Sequence, residues 1–148
     1  MPIDTSEGAV YASGTNVNGT YTIPEARVCG YAASTTAANP VDRVSLTGAA
    51  KLKGVTVRAI APGKTHDVCV GGVREVDTDG TAPVARGDRL AVNVTAGPLE
   101  GCVYSTNSAP PPPGATLHLV GIAEDPAPAS VTRIRVRLTP GATLTRAS

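Results

Sequence analysis

The segment VTRIRVRL, residues 131–138, decides the fold class because its apolar and charged residues alternate with a period of two. Successive side chains of a β-strand point to opposite faces. One face of this segment is therefore apolar and the other carries guanidinium groups, with Ile134, Val136 and Leu138 against Arg133, Arg135 and Arg137. The pattern predicts an antiparallel sheet with one buried face and one face in water.

Six further segments upstream indicate strands separated by Gly, Pro and Asp: GVTVRAI (54–60), THDVCV (65–70), VREVD (73–77), DRLAVNV (88–94), GCVYS (101–105) and ATLHLVGIA (115–123). In the first, Val55, Val57 and Ala59 share one face, and in the fourth Leu90, Val92 and Val94 do. The segment VDRVSLTGAAKLK (41–53) fits either a short helix or a strand followed by a loop.

The composition favours a single domain with a core of small side chains. The 148 residues include no Phe, no Trp, one Met and four Tyr, so Val, Leu, Ile and Ala must fill the interior. Thirteen Pro and sixteen Gly interrupt the chain too often for long helices. We therefore predict an all-β fold, a small antiparallel β-sandwich or β-barrel over residues 25–148.

Two segments stand apart from this β domain. Residues 1–24 are polar and small with scattered apolar side chains, and we interpret them as an extended N-terminal arm that orders against a partner. Residues 108–115, SAPPPPGA, form a Pro-rich loop whose four consecutive prolines favour a stiff polyproline II connection.

A weak internal similarity links residues 55–70 with residues 118–136. Both segments contain an apolar strand, an Ile-Ala step, a Pro-containing loop and an alternating strand. Two copies of such a strand-loop-strand unit would build a compact barrel.

The tripeptide Arg86-Gly87-Asp88 has the sequence of a cell-adhesion signal, but its setting favours a turn between two strands. Gly87 permits the backbone dihedrals of a turn, and Asp88 can accept a local hydrogen bond where the next strand begins.

The familiar signatures of catalysis and of cofactor, metal and nucleic-acid binding are incomplete in this sequence. Gly63-Lys64-Thr65 lacks the upstream glycine of a phosphate-binding loop and precedes a strand rather than a helix. His66, Asp67 and Cys69 alternate along a strand and have no second ligand pair, which argues against a metal site. No GxSxG motif is present, and four scattered Tyr make a poor stacking platform for nucleic acid. We expect a non-enzymatic protein with no cofactor, no metal and no direct contact with nucleic acid.

The sequence also suggests where the protein is made. The first residues lack the basic and apolar regions of a secretory signal, and no apolar run reaches the ~20 residues of a membrane helix. Three cysteines, Cys29, Cys69 and Cys102, cannot all pair within one chain. We expect a protein made in the host cytoplasm, with reduced and mostly buried thiols and no membrane contact.

Residues 54–138 resemble the small capsid decoration, or cement, proteins of tailed bacteriophages. The resemblance rests on a strand that ends in Gly-Gly-Val (71–73), on the segment Ala-Arg-Gly-Asp-Arg-Leu (85–90), and on a Val-Gly-Ile-Ala step (120–123). An acidic, Ala-rich loop and the closing alternating strand follow that step. The Pro run at 110–113 and the N-terminal arm are not part of the pattern.

The resemblance implies a structural virion protein on the capsid exterior that bridges major capsid protein subunits and stabilises the icosahedral shell. Members of the family occur as trimers at three-fold positions or as monomers, so a homotrimer is one expectation. The arm is then the expected capsid-contacting element, with its apolar residues as the contact sites: Ile3, Val10, Tyr11, Tyr21 and Ile23. The face formed by Arg133, Arg135 and Arg137 is either solvated or placed against an acidic capsid surface.

Three alternative functions remain open from the sequence alone. A tail-tube or head-fibre domain would share the β-rich, aromatic-poor composition. A cell-surface adhesive module would account for Arg86-Gly87-Asp88 and for the sequons at Asn18 and Asn93. A small β-barrel enzyme would require a cluster of perturbed acids, bases or thiols in a pocket.

Overall fold

The computed structural model describes residues 8–34 and 36–145, which form nine strands, one short α-helix and one 3₁₀ turn at Ala49–Lys51. The elements are, in chain order, β1 (Val10–Asn16), β2 (Val28–Tyr31), β3 (Pro40–Arg43), α1 (Val44–Thr47), β4 (Leu52–Thr56), β5 (Thr65–Asp77), β6 (Arg89–Val92), β7 (Val103–Ser105), β8 (Thr116–Ala123) and β9 (Arg133–Thr145). The all-β prediction is confirmed.

The first five strands close into a barrel in the order β1-β3-β2-β4-β5, with β5 pairing back onto β1. Strand β5 is 13 residues long, and its first half belongs to this barrel. Its second half, residues 72–77, pairs with β9 and starts a second sheet in the order β5-β9-β8-β6-β7. Because both sheets contain β5, this strand fixes their relative position.

The second sheet repeats the plan of the barrel. A loop bridge joins Ile23 to Ile60 in the barrel, and a corresponding bridge joins Val84 to Ala127 in the second sheet. Each sheet also contains one parallel pairing. In the barrel it joins β1 to β3, and in the second sheet it is a bridge between Thr78, just after β5, and Val103 of β7. The internal similarity of residues 55–70 and 118–136 therefore corresponds to two strand-loop-strand units, β4–β5 and β8–β9.

Both sheets also contain a β-bulge at the equivalent place. The β2–β4 ladder shifts register between Cys29 and Gly30, and the β6–β8 ladder shifts between Leu90 and Ala91. The residue opposite the bulge is a glycine in each case, Gly54 or Gly121. A bulge increases the local twist, which helps a short strand to follow the curvature of a small barrel.

Two clusters of buried side chains fill the molecule. The smaller cluster comprises Ile23, Cys29, Val41, Ile60 and Val68, contributed by the strands and bridges of the barrel. The larger cluster takes residues from β2, α1 and all the strands from β4 to β9, and so extends from the barrel into the second sheet. Apart from Ile, Leu and Val, these clusters contain only Cys and Ala, as the composition predicts.

The alternation that predicted the sheet is confirmed in β9, where Ile134, Val136 and Leu138 are all buried. Elsewhere the predicted boundaries differ from the structure. The two segments THDVCV and VREVD are parts of the single strand β5, and β4 ends at Thr56, before Val57 and Ala59. For residues 41–53 the sequence allowed either a helix or a strand followed by a loop. In the structure this segment contains most of β3, then α1, the 3₁₀ turn and the start of β4.

The segment predicted as an extended arm contributes a strand to the barrel. Val10–Asn16 form β1, which pairs with β5 over six residue pairs and so closes the barrel. Asn16 is buried, and its side-chain amide donates to the carbonyls of Tyr21 and Ile60, which ties the segment to the β4–β5 connection. Residues 1–7 of the predicted arm lie outside the described residues.

The Arg86-Gly87-Asp88 turn is formed as predicted. Gly87 has a positive φ of 89°, and the Asp88 carboxylate accepts hydrogen bonds from the Ala85 amide and from the Ser105 hydroxyl. Asp88 is only 7% exposed. Because an adhesion receptor needs access to the aspartate of this motif, the burial of Asp88 argues against the adhesive module.

A buried ion pair connects the loop before β7 to the barrel. The Glu100 side chain is 2% exposed, and one of its oxygens accepts from Arg43 Nε at 2.9 Å and from Nη2 at 2.6 Å. The other oxygen accepts from the Ser45 amide at 2.8 Å. Burial by itself raises the pKa of Glu100, but these donors outweigh it and hold the pKa below its ordinary value.

We expect Gly54→Ala to destabilise the protein strongly. A Cβ at this position would clash with the Cys69 carbonyl oxygen, and the backbone there is held in the β4–β5 ladder. Overpacking of this kind costs about 2–3 kcal/mol. Gly71→Ala is the matched control, since its Cβ would lie 3.7 Å from Val10 in ordinary contact. Urea unfolding of the two variants measures the difference, and equal losses would contradict this account.

We also expect acid to remove part of the stability through Glu100. A carboxylate whose folded pKa is depressed contributes stability above its unfolded pKa, near 4.5, and loses it as the pH falls through the folded value. Glu100→Gln should lower the free energy of unfolding at pH 7 by about 2–3 kcal/mol, less than for a fully buried pair because Arg43 stays partly exposed. The variant should also lose less stability than the parent between pH 7 and pH 3. Asp67→Asn, at an exposed position of β5, is the control, and an unchanged pH profile in Glu100→Gln would contradict the assignment.

Candidate functional site

Two of the five predicted contact residues are exposed at the start of β1. Val10 is 56% exposed and Tyr11 is 44% exposed. Tyr11 lies opposite Cys69 of β5, next to a register shift, and its hydroxyl is 3.5 Å from Arg74 Nη1. Val10 and Tyr11 are therefore two exposed side chains, one aliphatic and one aromatic, and Tyr11 has one weak polar neighbour.

The structure places two of the other three predicted residues away from this surface. Ile23 is 1% exposed and belongs to the smaller core cluster, so its side chain stabilises the barrel and is not a surface contact. Tyr21 is half-buried beneath Arg43, whose guanidinium lies 3.7 Å from the centre of its ring. Ile3 lies outside the described residues.

The arginine face of β9 is compensated by carboxylates of the same chain. Arg135 donates through Nε and Nη2 to the two oxygens of Asp125, and Arg137 Nε lies 2.9 Å from Glu124. The acidic loop that follows β8 thus folds back over β9. These pairs leave the face with little excess charge for an acidic capsid surface.

Arg133 belongs to a network at the junction of the two sheets. Its guanidinium pairs with Asp77 at the end of β5 and with Glu25, at 2.9 Å and 2.6 Å. Asp77 also accepts from Arg27 Nε, and Arg27 in turn donates to the carbonyls of Pro98 and Glu100. Asp77 and Glu25 raise the pKa of Arg133 above its usual range, so its guanidinium stays charged. Its function is to join the barrel to the second sheet.

Two exposed apolar side chains near the end of β2 and in α1 were not predicted as contacts. Tyr31 is 53% exposed and Leu46 is 66% exposed, and both line one small cavity. Leu46 lies in the segment 41–53 that the sequence left undecided. The available signal in the sequence was Leu46 itself, in a segment short enough to form only one helical turn. Such a short helix has too few residues to bury both of its faces, and Leu46 is on the exposed one.

The groups considered for catalysis or metal binding do not come together. Within residues 8–34 and 36–145, no group of three or more His, Cys, Asp or Glu side chains is placed to hold a metal ion. Gly63-Lys64-Thr65 forms a turn that leads into β5. Cys29, Cys69 and Cys102 are unpaired and buried, and burial raises the pKa of Cys29 to about 12 and that of Cys102 to about 11. These thiols are protonated core side chains at neutral pH.

Among the described residues, no helix has the length and apolar character needed to span a membrane.

Comparison with solved structures shows the same architecture in a phage protein. The crystal structure of the N base of head fiber gp8.5 of bacteriophage phi29 aligns with a TM-score of 0.56 and 12% sequence identity. The alignment covers 88% of this chain and 94% of that chain. At this identity the likeness establishes a shared fold. No curated protein matches the sequence.

Comparison with protein families confirms the resemblance noted in the sequence. The model for phage cement proteins matches residues 23–138, which is well over half of the chain. The match leaves out residues 1–22, which include β1, and the residues of β9 beyond Leu138. Proteins of this family are structural components of the phage virion that bind capsid proteins. The chain belongs to the phage cement protein family.

Proposed function

We propose that the protein decorates the outer surface of an icosahedral phage capsid and stabilises the shell by bridging adjacent major capsid protein subunits. The observation that carries this proposal is the family match over residues 23–138. The structure is consistent with a structural role, because its perturbed carboxylates and thiols are engaged in ion pairs, turns and the core.

The surface chemistry favours many modest contacts over one strong electrostatic site. The arginines of β9 are paired within the chain, and the formal net charge is +1. Contacts repeated by symmetry over a shell give large total stabilisation through avidity even when each is weak. Val10 and Tyr11 remain proposed capsid contacts, together with Ile3 upstream of them. Synthesis in the host cytoplasm and assembly as a homotrimer complete the proposal.

A second candidate is the base of a head fibre, which the likeness to the phi29 protein favours. In that case the domain would attach to the capsid and anchor further fibre mass. The two candidates differ in what projects from the head, since a decoration protein adds a compact knob and a fibre base adds an extended appendage.

We expect the protein to sediment with DNA-filled heads when native particles are separated on a density gradient. Mass spectrometry should find it at copy numbers comparable to those of the major capsid protein, and electron microscopy should show compact surface knobs. A chain that stays at the top of the gradient, or travels only with tails, would contradict capsid decoration. Fibres at a few positions per head would favour the fibre base.

Replacing the exposed residues at the start of β1 should weaken capsid binding. For the double variant Val10→Ser with Tyr11→Ser, we expect a loss of about tenfold or more in affinity for undecorated heads, because aromatic and aliphatic anchors dominate interface energies. Val131→Ser is the matched control, since Val131 is 54% exposed on the loop before β9. Co-sedimentation across a range of protein concentrations gives the affinities. Binding by the double variant equal to that of the control would remove Val10 and Tyr11 from the contact surface.

A further inference from the structure

Within the described residues, one edge of the C-terminal part of β9 has no partner strand. The first half of β9, residues 133–138, lies between β5 and β8, and its pairing with β5 ends at Leu138, opposite Gly72. Residues 142–145, which we call the β9 extension, pair with β8 on one edge, and no other described backbone forms hydrogen bonds with them. The free edge therefore has amide and carbonyl groups to which a further strand can bind.

The other long strand of the chain shows what such an extension binds. Strands β5 and β9 are both 13 residues long, and each contains a glycine with positive φ near its middle, Gly72 or Gly141. Beyond its glycine, β5 pairs with β9 in antiparallel orientation. The repeated plan of the two sheets therefore predicts an antiparallel strand along the free edge of the β9 extension.

The sequence of the β9 extension lacks the features that usually protect an edge strand. Natural edge strands avoid pairing with other chains by means of charged side chains, prolines or bulges. The extension reads Ala-Thr-Leu-Thr and contains neither a charged residue nor a proline, since Pro140 and the bulge of β9 come before it. Three of its four residues are exposed, Ala142, Thr143 and Thr145. This edge is therefore suited to bind another strand.

A pair of threonines indicates which backbone groups point to the free edge. The hydroxyls of Thr116 and Thr145, which are directly opposite each other in the β8–β9 ladder, are 2.8 Å apart. Side chains approach most closely in the non-hydrogen-bonded pairs of an antiparallel ladder. The hydroxyls of Thr15 and Thr65 are similarly 2.7 Å apart in the β1–β5 ladder, and there the Thr15 amide donates away from β5, to Asn39. By the same geometry the backbone groups of Thr145 point away from β8.

This orientation makes the β9 extension complementary to itself. Backbone groups alternate between the two edges of a strand, so those of Thr143 point to the free edge as those of Thr145 do. In an antiparallel pair of two extensions centred on Leu144, Thr143 of one copy is opposite Thr145 of the other, and the two exchange both backbone hydrogen bonds. Leu144 is then opposite its own counterpart.

The apolar side chains fit the same arrangement. Leu144 is paired with Leu117 of β8, and Ala142 is paired with Leu119, so these four residues share one face of the two-stranded ribbon. Leu117 and Leu144 are only partly buried. A pair centred on Leu144 aligns Leu117 and Leu144 of both copies in one row of four leucines. Cross-strand contacts along this row remove further apolar surface from water.

We propose that the free edge of the β9 extension binds the β9 extension of a second copy of this chain, as an antiparallel strand pair centred on Leu144. Such an isologous contact lies on a two-fold axis and closes with two strands. Adjacent three-fold positions of an icosahedral shell are related by two-fold axes, so on a shell the pair joins neighbouring decoration trimers. The strand pair follows from the fold of this chain, whereas its place between trimers rests on the proposed function.

Disulfide trapping tests the centre of the pair in the isolated full-length protein. The three native cysteines are buried, so a new surface cysteine is the accessible thiol in the described part of the chain. For Leu144→Cys, the two-fold axis places each thiol opposite its counterpart at a spacing that a disulfide accepts. We expect mild oxidation to convert most of this variant into a covalent dimer. The matched controls are Thr143→Cys, on the other face of β9, and Val131→Cys, at a position that is 54% exposed, and both should dimerise only at the rate of random collision.

Charge exchange at the same position tests the pair without a covalent bond. Leu144→Lys and Leu144→Glu each place like charges directly opposite one another across the axis, which destabilises a strand pair. Compared with the parent, we expect each variant alone to lose about tenfold or more in self-association, measured by sedimentation velocity over a range of concentrations. An equimolar mixture should recover most of the loss, because opposite charges then meet. Val131→Lys and Val131→Glu are the matched controls and should associate like the parent, alone or mixed. Thermal unfolding checks that each variant is folded.

Each result separates this inference from the proposed function. If Leu144→Cys forms no more covalent dimer than Val131→Cys, or if the mixture of charge variants recovers nothing, the strand pair is wrong. If the pair forms but the parent does not sediment with heads, the strand pair stands and capsid decoration is wrong. If trapping fails while the parent binds heads and Leu144→Lys does not, the free edge binds a strand of the capsid protein, and the second copy is overturned as its partner.

Discussion

The architecture rests on one shared element, strand β5, which takes part in both sheets. A 13-residue strand is long for a small domain, and each half completes a different five-stranded sheet. Without the first half of β5 the barrel would lack the strand between β4 and β1. Without the second half the second sheet would lack its edge strand next to β9. The ion network around Asp77, at the end of β5, joins Arg133 of β9 to Glu25 and Arg27, which precede β2 of the barrel.

The small side chains are a consequence of this geometry. A five-stranded barrel has a narrow interior, which Ile, Val and Cys fill and in which a Phe or Trp ring would force the strands apart. The bulges of the two β2–β4 and β6–β8 ladders provide the curvature, and glycine is required opposite each bulge because a neighbouring carbonyl occupies the space of a Cβ. The two core clusters accordingly use the small side chains that a sequence without Phe or Trp supplies.

Many charged side chains form ion pairs within the chain, while several large apolar side chains are exposed on its surface. The arginines of β9, Arg27 and Arg43 all meet carboxylates of the same chain, and these pairs connect loops to strands. The surface keeps a few exposed apolar groups on the barrel, among them Tyr11, Tyr31 and Leu46. For a structural virion protein the internal pairs are useful, because they hold the loops to the strands of the domain.

Periodicity and short local patterns were enough to predict the all-β class, the buried face of β9, the turn at Gly87 and the family. The same patterns do not show that Val10–Asn16 close a barrel or that Ile23 lies in the core, since a short polar segment becomes a strand only when two other strands offer their edges. The same holds for Glu100 with Arg43 and for Arg135 with Asp125, whose partners are separated by 57 and 10 residues. These pairings are visible only in the folded chain, because an arginine that faces water and one that binds a distant carboxylate look the same in the sequence.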